Sequence, residues 1–163
     1  MRAVIAVTLL PLLLLTFACG DDDNEEEPGD DHQTSFEVFA SGEYSGIEQS
    51  SAALFKIDSA ERWQEFWQRH TSVSNPAPTL PPFGFGARML LAVVDASRPS
   101  GGYSIEIRRI AETGNALRVD AVRREPGPNC VTPAVITQPF QIVSVERSDL
   151  PPLLSLTSEQ YAC

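Results

Sequence analysis

The sequence predicts an α+β domain, a mostly antiparallel sheet of about six or seven strands with one packed amphipathic helix. Three observations carry this. Short runs in which apolar and polar residues alternate recur through the chain. A single stretch repeats its apolar residues at helical spacing. The connections are rich in proline and glycine, of which the chain has 13 and 10. Residues 35–163, about 129 in number, are enough for one domain with its own core.

The elements follow in order. Phe36, Val38 and Ala40 alternate with polar neighbours and read as a half-buried strand. The stretch "YSGIEQSSAALFKI" gives a turn at Gly46 and a short strand near Ala52–Ile57. Asp58 is placed to cap a helix, with Glu61 completing a capping-box-like pattern. Trp63, Phe66, Trp67 and His70 then fall on one helical face, opposite Glu61, Arg62, Gln64, Glu65 and Gln68. An aromatic stripe of that kind packs a core. His70, in the last turn, suits the negative end of the helix. "SNPAPTLPPFGFGA" is neither helix nor central strand and reads as a long, stiffened surface loop. "RMLLAVVD" is an unbroken apolar run, the mark of a strand buried on both faces.

Tyr103, Ile105 and Ile107 alternate with polar residues, "ETGN" supplies a turn at Gly114, and Leu117, Val119 and Ala121 return on one face, so this is a hairpin. "EPGPNCVTPAVITQP" is a second Pro/Gly-rich loop. "FQIVSVER" is a further strand, and "LLSLTSEQYAC" ends the chain in a short edge strand.

The N-terminus reads differently. Residues 1–18 form a signal peptide: Arg2, then a nearly continuous apolar run from Ala3 to Phe17, short for a membrane span. "LLTFAC" resembles a bacterial lipobox, which makes Cys19 the lipidated residue; the alternative is an ordinary secretory signal cut near Ala18. Two or more acyl chains there would hold the protein firmly to a membrane. Gly20, in place of Asp, favours the outer membrane over the inner one as the destination. The expected location is the cell envelope, lipid-anchored, facing the periplasm or the cell surface. Residues 19–34 then form an acidic disordered tether. Eight of the 22 acidic residues lie there; without them and without Arg2, 14 acidic face 11 basic side chains, a net charge of −3. That balance points to no particular partner and leaves no basic stripe for nucleic acid.

After lipidation of Cys19, Cys130 and Cys163 remain, and in an oxidising compartment they most simply form one disulfide. It would close about 34 residues, stabilise by ~3–4 kcal/mol on the chain-entropy argument, and pin the last residue.

Residues 98–103, "RPSGGY", pose the functional question. Arg98, Pro99, Ser100, Gly101, Gly102 and Tyr103 combine a fixed φ, glycines that admit close backbone approach, and two residue types that anchor interfaces. They are therefore a candidate partner-binding loop. The competing expectation is architectural: the glycines turn the chain into a strand and Tyr103 joins the core.

Taken in order, "SGIEQ", "SAERWQEFWQRH", "RMLLAVVDASRPSGGYSIEI", the hairpin and "EPGPNCVTPAVITQPFQIVSV" resemble the PrcB C-terminal domain of bacterial lipoproteins, over about Tyr44 to Val145. The Gly-Gly-Tyr stretch is the most specific part. Ala96, where the family commonly has glycine, and "FGFG", where Val-Asp-Phe is more usual, are departures. The resemblance implies a fold and an envelope location, and an accessory role beside a serine protease at the cell surface. "RPSGGY" is also similar to the Asn-Pro-Thr-Thr-Gly-Tyr loop of chagasin-like cysteine-protease inhibitors.

No catalytic residues are indicated. The domain holds one His and no Ser-His-acid pattern, "SGGYS" lacks the Lys and the helix of a phosphate loop, and no metal or cofactor site appears. The expectation is a non-enzymatic, membrane-tethered domain that binds a protein partner, an accessory subunit or modulator of an extracytoplasmic protease. The alternatives are an envelope lipoprotein that binds cell-wall or surface components, and a loop-type protease inhibitor.

Overall fold

The computed structural model describes residues 32–163. The expected signal peptide, Cys19 and the expected tether up to residue 31 lie outside the described residues. In chain order the elements are β1 (His32–Gln33), β2 (Phe36–Gly42), β3 (Ala53–Ile57), α1 (Ala60–His70), β4 (Arg88–Val94), β5 (Ser104–Thr113), β6 (Ala116–Pro126), β7 (Phe140–Glu146) and β8 (Pro152–Tyr161). The expected α+β domain is present, built as three layers. An outer sheet has the order β1-β5-β6-β8, an inner sheet the order β2-β7-β4-β3, and the helix covers the far side of the inner sheet.

β4 shows why its sequence is unbroken in hydrophobicity. Met89, Leu91 and Val93 point towards the outer sheet, where they meet Ile105, Ile110, Leu117 and Val119. Leu90, Ala92 and Val94 point the other way, onto Ile57, Trp63 and Phe66. A strand with a core on each face has no polar positions to alternate.

Four expectations are corrected. His32 and Gln33 belong to the sheet and not to the tether: they pair with Glu112 and Ala111, and the Thr34 amide donates to the Ile110 carbonyl at 2.9 Å. Val38 does not share the buried face of Phe36. A bulge between Val38 and Ala40 shifts the register against β7, so Val38 turns to solvent while Phe39 and Ala40 face the helix side. Ser59, not Asp58, caps the helix: its backbone is extended and its hydroxyl accepts from the Arg62 amide at 3.3 Å, while Asp58 pairs with the Arg62 guanidinium at 3.1 Å. The last strand is long rather than short, and it runs parallel to β6 from Leu117↔Pro152 to Pro126↔Tyr161. The chain leaves the outer sheet after β6, traverses the inner sheet as β7 and returns, so β8 enters in the same direction as β6.

The proline-rich segment before β4 is stapled to the helix. Trp63 Nε1 donates to the Pro81 carbonyl at 2.9 Å and Trp67 Nε1 to the Pro78 carbonyl at 3.0 Å. Phe83 and Phe85 pack on the same cluster. The segment is thus a lid over the aromatic stripe, and the indole N–H groups of the buried Trp63 and the partly buried Trp67 find partners there.

His70 is neutral rather than a counter-charge to the helix end. Its ring stacks on Phe66 and meets Phe140 edge-on, and burial pushes its pKa from 6.5 down to about 4. Nδ1 lies 3.0 Å from the Ser45 hydroxyl. The helix end is closed by Gly46, whose amide donates to the His70 carbonyl at 2.8 Å. A Cβ on Gly46 would collide with the Arg69 carbonyl and the Ser72 side chain, so the turn read in "SGIEQ" is a close approach of backbone to helix.

Candidate binding surface

The six residues of the candidate loop follow β4, and the last buried residue of that strand run is charged. Asp95 is fully buried. Arg98 reaches its two carboxylate oxygens at 2.8 and 2.9 Å, and Arg123, from β6, reaches both at 2.6 and 2.7 Å. The Ala96 amide adds a further donor at 2.9 Å. Burial by itself would raise the Asp95 pKa; hydrogen bonds from Arg123 and then Arg98, together with their charges, outweigh it and hold the carboxyl below its ordinary value. Two planar guanidinium forks on one carboxylate satisfy nearly every lone pair, which is what a buried ion requires.

The backbone of the loop is fixed as firmly as its first side chain. Arg98 and Thr137 exchange both backbone hydrogen bonds, at 2.7 and 3.1 Å. The Gly101 amide donates to the Pro133 carbonyl at 3.0 Å, and the Thr137 hydroxyl to the Ser100 carbonyl at 2.8 Å. Gly102 has φ +88°, and a Cβ there would meet the Tyr161 hydroxyl at 2.8 Å. That hydroxyl donates to the Gly102 carbonyl at 2.9 Å. Tyr103 is half-buried with the Arg98 guanidinium 5.6 Å from its ring centre. Pro99 is exposed, and Ser100 is partly so. Of the six, then, Arg98, Ser100, Gly101 and Gly102 are engaged within the fold by hydrogen bonds, while Pro99 is exposed and Tyr103 partly so.

What this loop carries is the second Pro/Gly-rich loop. The residues pinned by Arg98, Ser100 and Gly101 flank Val131, Val135 and Ile136, all exposed. Gln138, buried at the end of that loop, donates from Nε2 to the Ile47 carbonyl and, at 3.0 Å, to the Asp95 carbonyl, locking it to the helix-capping turn as well. The outcome is a ridge with an apolar hollow of about 350 Å³ beside it, to which Tyr44, Val73 and Ile136 contribute. These three are 54, 64 and 71 % exposed. Large apolar side chains set together on fixed backbone are a mark of interaction surfaces. Sequence reading missed Tyr44, Val73, Ile136 and Gln138. The one available signal was "AVI", three apolar residues inside a Pro/Gly-rich loop, where burial has no strand or helix to serve.

The disulfide expected between Cys130 and Cys163 is formed, with Cα atoms 5.3 Å apart. It joins the base of the ridge to the end of β8, where the Gly127 amide also donates to the Tyr161 carbonyl at 3.0 Å. Among the described residues, no group of three or more His, Cys, Asp or Glu is placed to hold a metal ion, and no helix is long and apolar enough to cross a membrane.

The ridge and its anchors lie inside a stretch that compares with known families. Residues 89–146 match the family model described as PrcB C-terminal. The match covers 58 of the 163 residues, and over them the chain is similar to that family. It spans β4 to β7, so it contains the Asp95 ion cluster, "RPSGGY" and the ridge, whereas Tyr44, Val73 and the helix precede it. No curated protein and no solved structure matches the chain.

Proposed function

We propose that this chain is a non-catalytic binding domain, held at a bacterial cell envelope by lipid on Cys19, whose partner is an extracytoplasmic protease or a protein of its complex. One observation carries the reading: Tyr44, Val73 and Ile136 form an exposed apolar face, and the backbone on the Ile136 side of it is held by Arg98, Gly101 and Gln138. In this reading "RPSGGY" contributes to binding chiefly as the support of that face. A surface fixed before the encounter loses less conformational entropy on binding.

The test uses the full chain expressed in a lipoprotein-sorting bacterium, cross-linked in intact cells and purified from solubilised envelopes. A peptidase, or a protein that co-purifies with one, is expected with the wild type. It is expected to fall at least tenfold with Ile136→Asp, the thermal midpoint being unchanged. Retention on purified peptidoglycan with no peptidase recovered would overturn the proposal in favour of wall binding. Unprocessed, bare Cys19 in the mass spectrum of the envelope-derived protein would overturn the anchor. Hydrolysis by papain-like and subtilisin-like proteases is expected to be unchanged by excess protein; strong inhibition would instead support the inhibitor reading.

A further inference from the structure

On the other flank of the ridge the ends of β5, β6 and β8 border a shallow, open groove of about 360 Å³, lined by Glu43, Gly102, Tyr103, Ser104, Arg124 and Tyr161. We propose that this groove binds the side-chain carboxylate of an Asp or Glu in a peptide, with Arg124 as the recognition residue. The inference rests on the reading of the domain as a protein-binding module and names the chemistry of what it binds.

Arg124 stands apart from the other arginines of the hairpin. Arg108 pairs with Glu106 at 3.0 Å, Arg109 and Arg118 with Asp120 at 3.9 and 2.7 Å, and Arg123 with Asp95. Arg124 is exposed and has no carboxylate partner among the described residues; its guanidinium instead lies 5.7 Å from the ring centre of Tyr161. A guanidinium on an aromatic face keeps its N–H edge available for a bidentate acceptor while the ring restrains its position.

The ring beneath it is itself restrained. The Tyr161 hydroxyl is held by the Gly102 carbonyl, its own carbonyl by the Gly127 amide, and the chain is tied two residues later by the disulfide. Tyr103 forms a second aromatic wall, and Ser104 lies across from Arg124 in the ladder, offering a hydroxyl donor on the same floor. Glu43 also lines the groove, and its negative charge opposes a phosphate dianion more strongly than a single carboxylate.

The experiment compares two capped dipeptides, N-acetyl-Leu-Glu-amide and N-acetyl-Leu-Gln-amide, titrated into the mature chain and followed by amide NMR shifts. The glutamyl peptide is expected to move the amides of Ser104, Arg124 and Tyr161 saturably, with affinity about tenfold above the glutaminyl peptide. Arg124→Ala is expected to reduce the two to the same weak level with the remaining spectrum unchanged, and Arg124→Lys to retain part of the preference. Equal binding of the two peptides, an unaffected Arg124→Ala protein, or shifts confined to another surface would overturn the proposal. If Ile136→Asp abolishes partner capture while Arg124→Ala leaves both capture and peptide binding intact, the apolar face stands and the carboxylate site falls.

Discussion

Asp95 and Arg123 lie 28 positions apart and belong to different layers, yet the Arg123 guanidinium meets both Asp95 carboxylate oxygens, at 2.6 and 2.7 Å. Asp95 directly follows β4 of the inner sheet and Arg123 lies on β6 of the outer one, so the pair closes the end of the sandwich. Arg98 joins from the same carboxylate to the start of the ridge. The cluster therefore couples the packing of two sheets to the position of the proposed binding surface.

Removing the shared acid should cost far more than removing either arginine. Asp95→Ala leaves two guanidinium groups facing each other in a largely buried site, a change of about 3–5 kcal/mol by the general cost of breaking a buried pair. Arg98→Ala leaves Asp95 with Arg123 and should cost less than half as much. Urea unfolding of the two variants checks the order, and equal losses would mean that Asp95 does not bridge the two.

The disulfide should stabilise the fold by ~3–4 kcal/mol on the chain-entropy argument. Because it ties the ridge to the end of β8, its loss should also be felt locally. Cys130→Ser with Cys163→Ser should lower the thermal midpoint and speed amide exchange at Gly127 and Gly101 more than at β4 amides. Uniform acceleration throughout the chain would mean that the bond acts on global stability alone.

How much of this could be read beforehand depended on whether the signal was local. The run Met89–Val94 announced a strand buried on both faces, the stripe Trp63–Phe66–Trp67–His70 a packed helix, and two cysteines one bridge; each is a property of neighbouring residues or of a simple count. The bulge at Phe39 has no such mark, since the alternation of residues 36–40 is the same with or without it, and only pairing with β7 reveals it. Arg98 read as an interface anchor because its acid partner sits at a strand end whose burial is a tertiary fact. The spacing Asp95–Arg98 was visible, but Arg123 arrives from another layer. The exposed apolar face was illegible for the same reason: Tyr44, Val73 and Ile136 come from three separate loops.

Gly102 is expected to be intolerant of any side chain, for two independent reasons. Its φ of +88° is unfavourable for L-residues, and the added Cβ would press on the Tyr161 hydroxyl. Gly102→Ala should cost about 1–3 kcal/mol. Gly114, also at positive φ, has open space around it, so Gly114→Ala should cost only the backbone term, about 1 kcal/mol. Chemical unfolding of the pair separates the contributions; equal losses would show that the Tyr161 contact is relieved without cost.

Acid should weaken the fold well above the carboxylate range, through His70. In the unfolded chain this imidazole protonates near 6.5, while in the fold burial among Phe66, Trp67 and Phe140 holds it neutral until about 4. Between those values the unfolded state binds the extra proton, so stability rises with pH and is lost as pH falls. From pH 6.5 to 5 the loss should be at most about 2 kcal/mol. Asp95 contributes later: its lowered pKa means that its stabilisation persists until the acid range below its ordinary value. Urea midpoints measured at intervals between pH 7 and 4 should therefore slope downward for the wild type and flatten from pH 6.5 to 5 for His70→Gln, which keeps a polar group within reach of Ser45. An unchanged slope in that variant would place the titrating group elsewhere.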